Sequence, residues 1–470
     1  MRRFVVLTIL VLLLAAGCGQ EQVLSPSLPL NPALAGDGPD AQALAVQIAG
    51  ALGWEVNADL VRLDRSVSLG AGTLVDPQRQ VIAGDVVHYS CRVRTGSGPW
   101  DYIGLHRVVR EERLGRPIRT VKAVFLQHGD AKNFVGMYLP GLNSASTPDD
   151  FGIAVFLARH DVDVWGIDQA WTLVPNDMTD LSFTPDSGLD RQVKDLSCAI
   201  RIARHLRLVA GPGLDKIIVS GYSSGTTTCY ALLNEETQLP PGRRQVRGYI
   251  PIDMAPAVND DDWILSFTSY LPYYQSLAAS GQYLFDTGFV PLGTLARTDP
   301  DGASPIIPGF TNLQAALYMA AGPIFGTSIS THYLAGIWDG DMPVGLQFVT
   351  LDQWLDFTSS APQYEAVQFI IDYSRWIDPT TDEPWDDYFA EITVPILNLG
   401  AAGGADPFSD YCLSLLGSTD ITKVRVQLRP DEEALLDFGH IDIFIASNAP
   451  ELAWQPMLDW IESHSTPLTP

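Results

Sequence analysis

The chain has 470 residues, 46% of them hydrophobic and 18% charged, a globular composition unlike that of a disordered, collagen-like or coiled-coil chain. Its length allows about three domains at roughly 150 residues each. Acidic residues outnumber basic ones 55 to 29, giving a formal net charge of -26, so nucleic acid is excluded as a main partner and polyanionic substrates are disfavoured.

Arg2 and Arg3 precede a 13-residue apolar run over 4–16, which is too short to span a bilayer comfortably and predicts a signal peptide over residues 1–17. Its end, Leu14-Ala15-Ala16-Gly17-Cys18, resembles a bacterial lipoprotein signal. That resemblance implies lipidation of Cys18. With Gly19 where inner-membrane lipoproteins carry Asp, it also implies placement at the outer membrane or surface of a bacterial envelope. Ordinary secretion with Cys18 incidental is the alternative. Residues 21–40 are rich in Pro, Gly, Ser and Leu without clear periodicity, so 18–40 reads as a tether between the membrane anchor and the folded body.

Residues 86–94 and 102–110 alternate apolar and polar around Thr95-Gly96-Ser97-Gly98-Pro99, a hairpin pattern. Residues 121–127, 162–167, 217–220, 246–252 and 394–399 are short apolar runs of the kind buried on both faces of a sheet. Helical patterns at 151–160, 189–208 and 226–233 lie between them. The alternation predicts an α/β fold, a mostly parallel sheet flanked by helices, with a last strand at 424–428 and a last helix at 453–464.

Residues 256–390 interrupt this pattern and carry 23 of the 45 aromatics, 17 acidic residues and only two basic ones, Arg297 and Arg375. A connection that long must be structured, so it is an inserted cap between a first core part at 41–255 and a second at 391–470. Most of its aromatics pack the cap itself, and its position favours some of them walling a pocket.

The remaining cysteines, Cys91, Cys198, Cys229 and Cys412, allow three disulfide pairings or four buried thiols. Neither they nor His88, His106, His160, His205 and His332 show metal-ligand spacing, so no metal is expected, although His332, in the cap, could touch substrate. Asp260-Asp261-Asp262 reads as a solvated charge run.

Gly221-Tyr222-Ser223-Ser224-Gly225 follows an apolar strand and opens a helix, the strand-turn-helix setting of a G-x-S-x-G nucleophile elbow. Ser223 is the candidate nucleophile and the N–H of Ser224 one oxyanion donor. The second donor is expected at His128-Gly129-Asp130, where Gly129 permits close approach and the N–H of Asp130 or Ala131 could point at a developing oxyanion. A serine hydroxyl needs a histidine to take its proton and a carboxylate to orient that histidine. His440, in a turn after the last strand, fits the first role better than His464 in the terminal tail. Asp406, in the Gly-rich loop after residues 394–399, is the first choice for the acid, with Asp410 and Asp253 as alternatives.

At these residues the chain resembles the α/β-hydrolase superfamily, and within it the acid-lipase group. The likeness rests on Gln127-His128-Gly129, Asp163-Val164-Trp165-Gly166, Gly221 to Gly225 with Thr226-Thr227, and His440-Ile441-Asp442. It implies hydrolysis of carboxylic esters through an acyl-serine, with no cofactor. Together with the acidic exterior and aromatic cap, this gives a serine esterase or lipase for neutral, fairly apolar esters. The alternatives are an amide, lactone or polyester hydrolase with the same triad, or an inactive surface binding lipoprotein.

Overall fold

The apolar runs become the middle of one sheet in the computed structural model, which describes residues 41–55, 74–324 and 331–465. The signal peptide at 1–17, Cys18 and the tether at 18–40 lie outside the described residues.

Helix α1 (Ala41–Ala51) precedes strands β1 (Leu74–Ala83), β2 (Val86–Arg94), β3 (Tyr102–Arg113) and β4 (Arg116–Pro117). Strands and helices then alternate through β5 (Ala123–Gln127), α2 (Phe134–Tyr138), α3 (Ile153–Arg159), β6 (Asp163–Asp168), α4 (Leu189–Ala210), β7 (Ile217–Tyr222), α5 (Ser224–Thr237) and β8 (Val246–Ile252). The segment 256–390 contributes α6 (Asp261–Thr268), α7 (Leu271–Ala279), β9 (Leu284–Asp286), α8 (Phe289–Thr298), α9 (Asn312–Ala321), β10 (Gly336–Asp339), β11 (Met342–Leu346), α10 (Leu351–Ser359), β12 (Tyr364–Ala366) and α11 (Val367–Ile377). Its strands form two small antiparallel pairs, β10 with β11 and β9 with β12, and none joins the main sheet. Asp260 caps α6 by accepting the Trp263 N–H at 2.8 Å, so the triple-aspartate run serves a helix start. Strand β13 (Ile396–Ala401), α12 (Ser409–Ser414), β14 (Ile421–Val426), α13 (Asp442–Ile445) and α14 (Gln455–His464) complete the core.

The strand order is β1-β2-β3-β6-β5-β7-β8-β13-β14, with β4 on β3. Pairing is antiparallel from β1 to β6 and parallel from β6 to β14. Alternate side chains fill opposite layers: Phe125, Ile217 and Val219 pack with α4 and α5, while Val124, Ile218 and Ile250 pack with α3 and α14. The register pairs Gln127 with Gly221, Tyr222 with Ile252, and Ile252 with Leu399. The residues just beyond β5, β7 and β8 therefore emerge together at one sheet edge.

Beneath that edge, Asp163 of β6 binds Arg107 of β3 (2.7 and 3.1 Å) and Arg207 of α4 (2.6 Å), all fully buried. Arg107 lies 4.7 Å from the ring centroids of both Trp54 and Trp165. Burial alone would raise the Asp163 pKa, but the two guanidiniums hold it below its ordinary value. The four described cysteines are all free thiols, so no disulfide joins them.

Six buried or partly buried acids bias stability toward mild acid. Burial pushes Asp130, Asp195, Asp372 and Asp406 up to about 6, and Glu235 and Asp442 up to about 7. Each keeps its proton in the folded chain at pH values where the unfolded carboxyl, with a pKa of about 4, has lost it. The stability each contributes is complete below about pH 4 and is lost as pH rises through 6 to 7. Burial lowers His88 to about 3 and holds His128 and Lys132 below their ordinary values, and these cationic groups oppose the trend. The six raised acids titrate between pH 5 and 7, where the trend is expected to follow them. Thermal melts should show a lower midpoint at pH 7.5 than at pH 5, and a midpoint that climbs over that interval would contradict this balance.

Candidate active site

Ser223 sits between β7 and α5 with φ 53° and ψ -132°, a strained conformation for a non-glycine residue. Two close approaches enforce the tight turn. A Cβ at Gly225 would collide with the His128 carbonyl, and one at Gly129 would lie 2.7 Å from the Ser223 Cβ. The Ser223 N–H donates to Ile252 O at 3.1 Å, fixing the turn to the end of β8. Ser223 itself is 9% exposed.

The acid bound to the histidine is Asp253 rather than Asp406. His440 Nδ1 lies 2.6 Å from Asp253 Oδ2, with both side chains buried. Asp253 follows β8 with φ 54°, and its carboxylate also accepts the N–H groups of Ala401 (2.8 Å), Ala405 (3.1 Å) and Asp406 (3.1 Å). The Gly-rich loop after β13 therefore serves another strand's acid: a Cβ at Gly404 would collide with Asp253 Oδ2. The Asp406 side chain accepts instead from Asn398 Nδ2 at 2.7 Å and lies 3.7 Å from Arg425 Nε. Asp410, also an alternative, pairs at the surface with Lys423.

The histidine loop is braced from several sides. The His440 N–H donates to the His332 carbonyl at 2.9 Å, and His332 Nε2 lies 2.8 Å from the Asp437 carbonyl, so His332 supports the loop. Asp442, quoted in the sequence only as part of the His440-Ile441-Asp442 stretch, accepts the N–H groups of Gly439 and Ala335, both at 2.8 Å. The His440 ring centroid lies 4.7 Å from that of Tyr222, the residue before Ser223. His464 lies apart, stacked on Trp460 in α14.

Ser224 is the first residue of α5, so its N–H has no intrahelical acceptor. The Ala131 N–H, however, is committed to Glu365 Oε2 at 3.0 Å. This leaves Asp130 as the second candidate oxyanion donor, and among the described residues nothing accepts its N–H. The Asp130 side chain accepts from the Ser224 hydroxyl. Behind the loop, His128 Nε2 accepts the Gln169 N–H at 3.1 Å and its Nδ1 donates to Gly129 O at 2.8 Å, so the ring is structural and neutral.

No protein-family model matches the chain, and no curated protein matches it. Among solved structures, a provisionally assigned lipase from Sulfolobus solfataricus aligns over 83% of this chain and 99% of its own at 17% identity, with a TM-score of 0.55. The fold is that of the α/β-hydrolases. A thermophilic esterase from Thermogutta terrifontis covers 83% of this chain and 100% of its own at 12% identity and a TM-score of 0.38. A monoacylglycerol lipase from Paleococcus ferrophilus covers 74% and 97% at 11% identity, also with a TM-score of 0.38.

On this α/β-hydrolase sheet an apolar wall adjoins the elbow. Met254 Sδ lies 3.7 Å from Ser223 Oγ and belongs to a cluster with Trp263, Tyr373 and Phe408. Trp263 and Tyr373 come from the 256–390 segment and Phe408 from the loop after β13, so these two parts of the chain share this wall. Among the described residues, no group of three His, Cys, Asp or Glu is arranged to hold a metal ion.

Proposed function

We propose that the protein is a serine-dependent carboxylic ester hydrolase acting on neutral, fairly apolar esters through an acyl-serine intermediate. The observation that carries this reading is the strained Ser223 elbow together with a buried His440, whose ring centroid lies 4.7 Å from that of the adjoining Tyr222 and whose Nδ1 is 2.6 Å from Asp253. Ser223 Oγ attacks the ester carbonyl while His440 Nε2 takes its proton and then delivers it to the departing alcohol. Asp253 holds the ring in the tautomer that leaves Nε2 free to accept. The N–H groups of Ser224 and Asp130 receive the oxyanion, and water activated by His440 then releases the acid. The Met254, Trp263 and Phe408 wall supports an apolar acyl or alcohol group. The net charge of -26 disfavours anionic substrates. The same proposal ties the enzyme to a bacterial envelope through a lipid on Cys18.

Steady-state kinetics on a series of p-nitrophenyl esters tests this. Turnover of neutral acyl esters is expected, with kcat/KM on the order of 10-fold or more above that of a carboxylate-bearing ester of equal length. Binding without product release would contradict it in favour of an inert binding protein. Amide cleavage faster than ester cleavage would move the assignment to an amidase.

A further inference from the structure

We propose that Glu365, contributed by the cap, is a positioning residue that sets the oxyanion loop by holding the Ala131 N–H away from the nucleophile. The inference rests on the hydrolase reading above. Ala131 has φ 51°, a left-handed conformation that a residue with a Cβ adopts only when its surroundings enforce it. The enforcing contact is the 3.0 Å hydrogen bond from the Ala131 N–H to Glu365 Oε2.

Glu365 is suited to that task. It lies in β12 and is 1% exposed, and its Oε1 accepts the N–H of Ala366 at 3.0 Å. Among the described residues, no Lys, Arg or His lies within ion-pair distance of it. Burial and the neighbouring Asp130 raise its pKa well above the ordinary carboxylate range, which favours an uncharged acid beside the site where negative charge develops. A second cap segment grips the next residue. Lys132 Nζ donates to the Phe357 carbonyl of α10 at 2.9 Å and sits 3.5 Å from the centroid of that ring. Two consecutive loop residues are thus tied to two separate cap elements. With Ala131 turned away, the Asp130 N–H is left to face the oxyanion with that of Ser224.

Three proteins decide the matter: wild type, Glu365→Ala, which removes the acceptor, and Glu365→Gln, which keeps one acceptor oxygen without charge. Losing a single oxyanion donor typically costs about 10²- to 10³-fold in kcat. Partial misplacement should therefore lower kcat about 10- to 100-fold in E365A with KM within about threefold, and E365Q should recover to within about fivefold of wild type. An unchanged kcat in a folded E365A, or E365Q as impaired as E365A, would overturn the proposal. Amide hydrogen exchange at Ala131 in the same three proteins needs no turnover. Slow exchange in wild type and E365Q with fast exchange in E365A supports the tie even if the hydrolase reading fails. Equal exchange in all three overturns it.

Discussion

Ser223→Ala is expected to lower ester turnover by about 10⁵- to 10⁶-fold while leaving a folded protein. Ser223 Oγ is the only protein atom in the proposed mechanism that bonds to the substrate carbon, and no other side chain at the elbow can replace it. Ser224, the next residue in sequence, donates its hydroxyl to Asp130 and lies in the first turn of α5. Removing one oxygen from a side chain only 9% exposed leaves the backbone bond to Ile252 and the glycine approaches intact. Circular dichroism and the thermal midpoint should stay close to wild type. Kinetics with residual turnover within about tenfold of wild type would remove Ser223 from the mechanism.

Asp253→Asn is expected to cost about 10⁴-fold in kcat, because an amide at that position stabilises the wrong histidine tautomer. The Asp253 carboxylate accepts from four donors, His440 and the N–H groups of Ala401, Ala405 and Asp406. An asparagine side chain presents only one oxygen to them, so a stability loss of about 1–3 kcal/mol should accompany the kinetic loss. Asp406→Asn provides the contrast. Its side chain contacts Asn398 and Arg425, and its contribution to the site is a backbone N–H that the substitution retains, so kcat should fall less than about fivefold. The opposite ranking of the two variants would restore Asp406 as the acid.

Much of the core was legible because its signals are local. The runs at 121–127, 162–167, 217–220 and 246–252 are apolar on both faces and became β5, β6, β7 and β8. The elbow was equally legible, since strand, turn glycines, serine and helix are contiguous in sequence. Strand β1 was missed because it contains Pro77 and mostly exposed residues, and what makes it a strand is its pairing with β2. The sequence puts Asp406 ahead of Asp253 as the acid, the reverse of the observed pairing, because recognition of the acid is long-range. Asp253 and His440 are 187 residues apart, and of the loop glycines preceding Asp406 it is Gly404 that makes room for the carboxylate arriving from β8. Glu365 left no local signal either: it lies 234 residues from Ala131 and acts through a backbone N–H that any residue but proline would offer.

The most direct test of an activated Ser223 is fluorophosphonate labelling of the wild-type protein, with the modified peptide identified by mass spectrometry and the D253N and D406N variants labelled in parallel. A single adduct on Ser223, forming at least about 10²-fold more slowly in D253N and at the wild-type rate in D406N, is the predicted result. A folded protein that forms no adduct, or forms it on a different residue, would contradict the account.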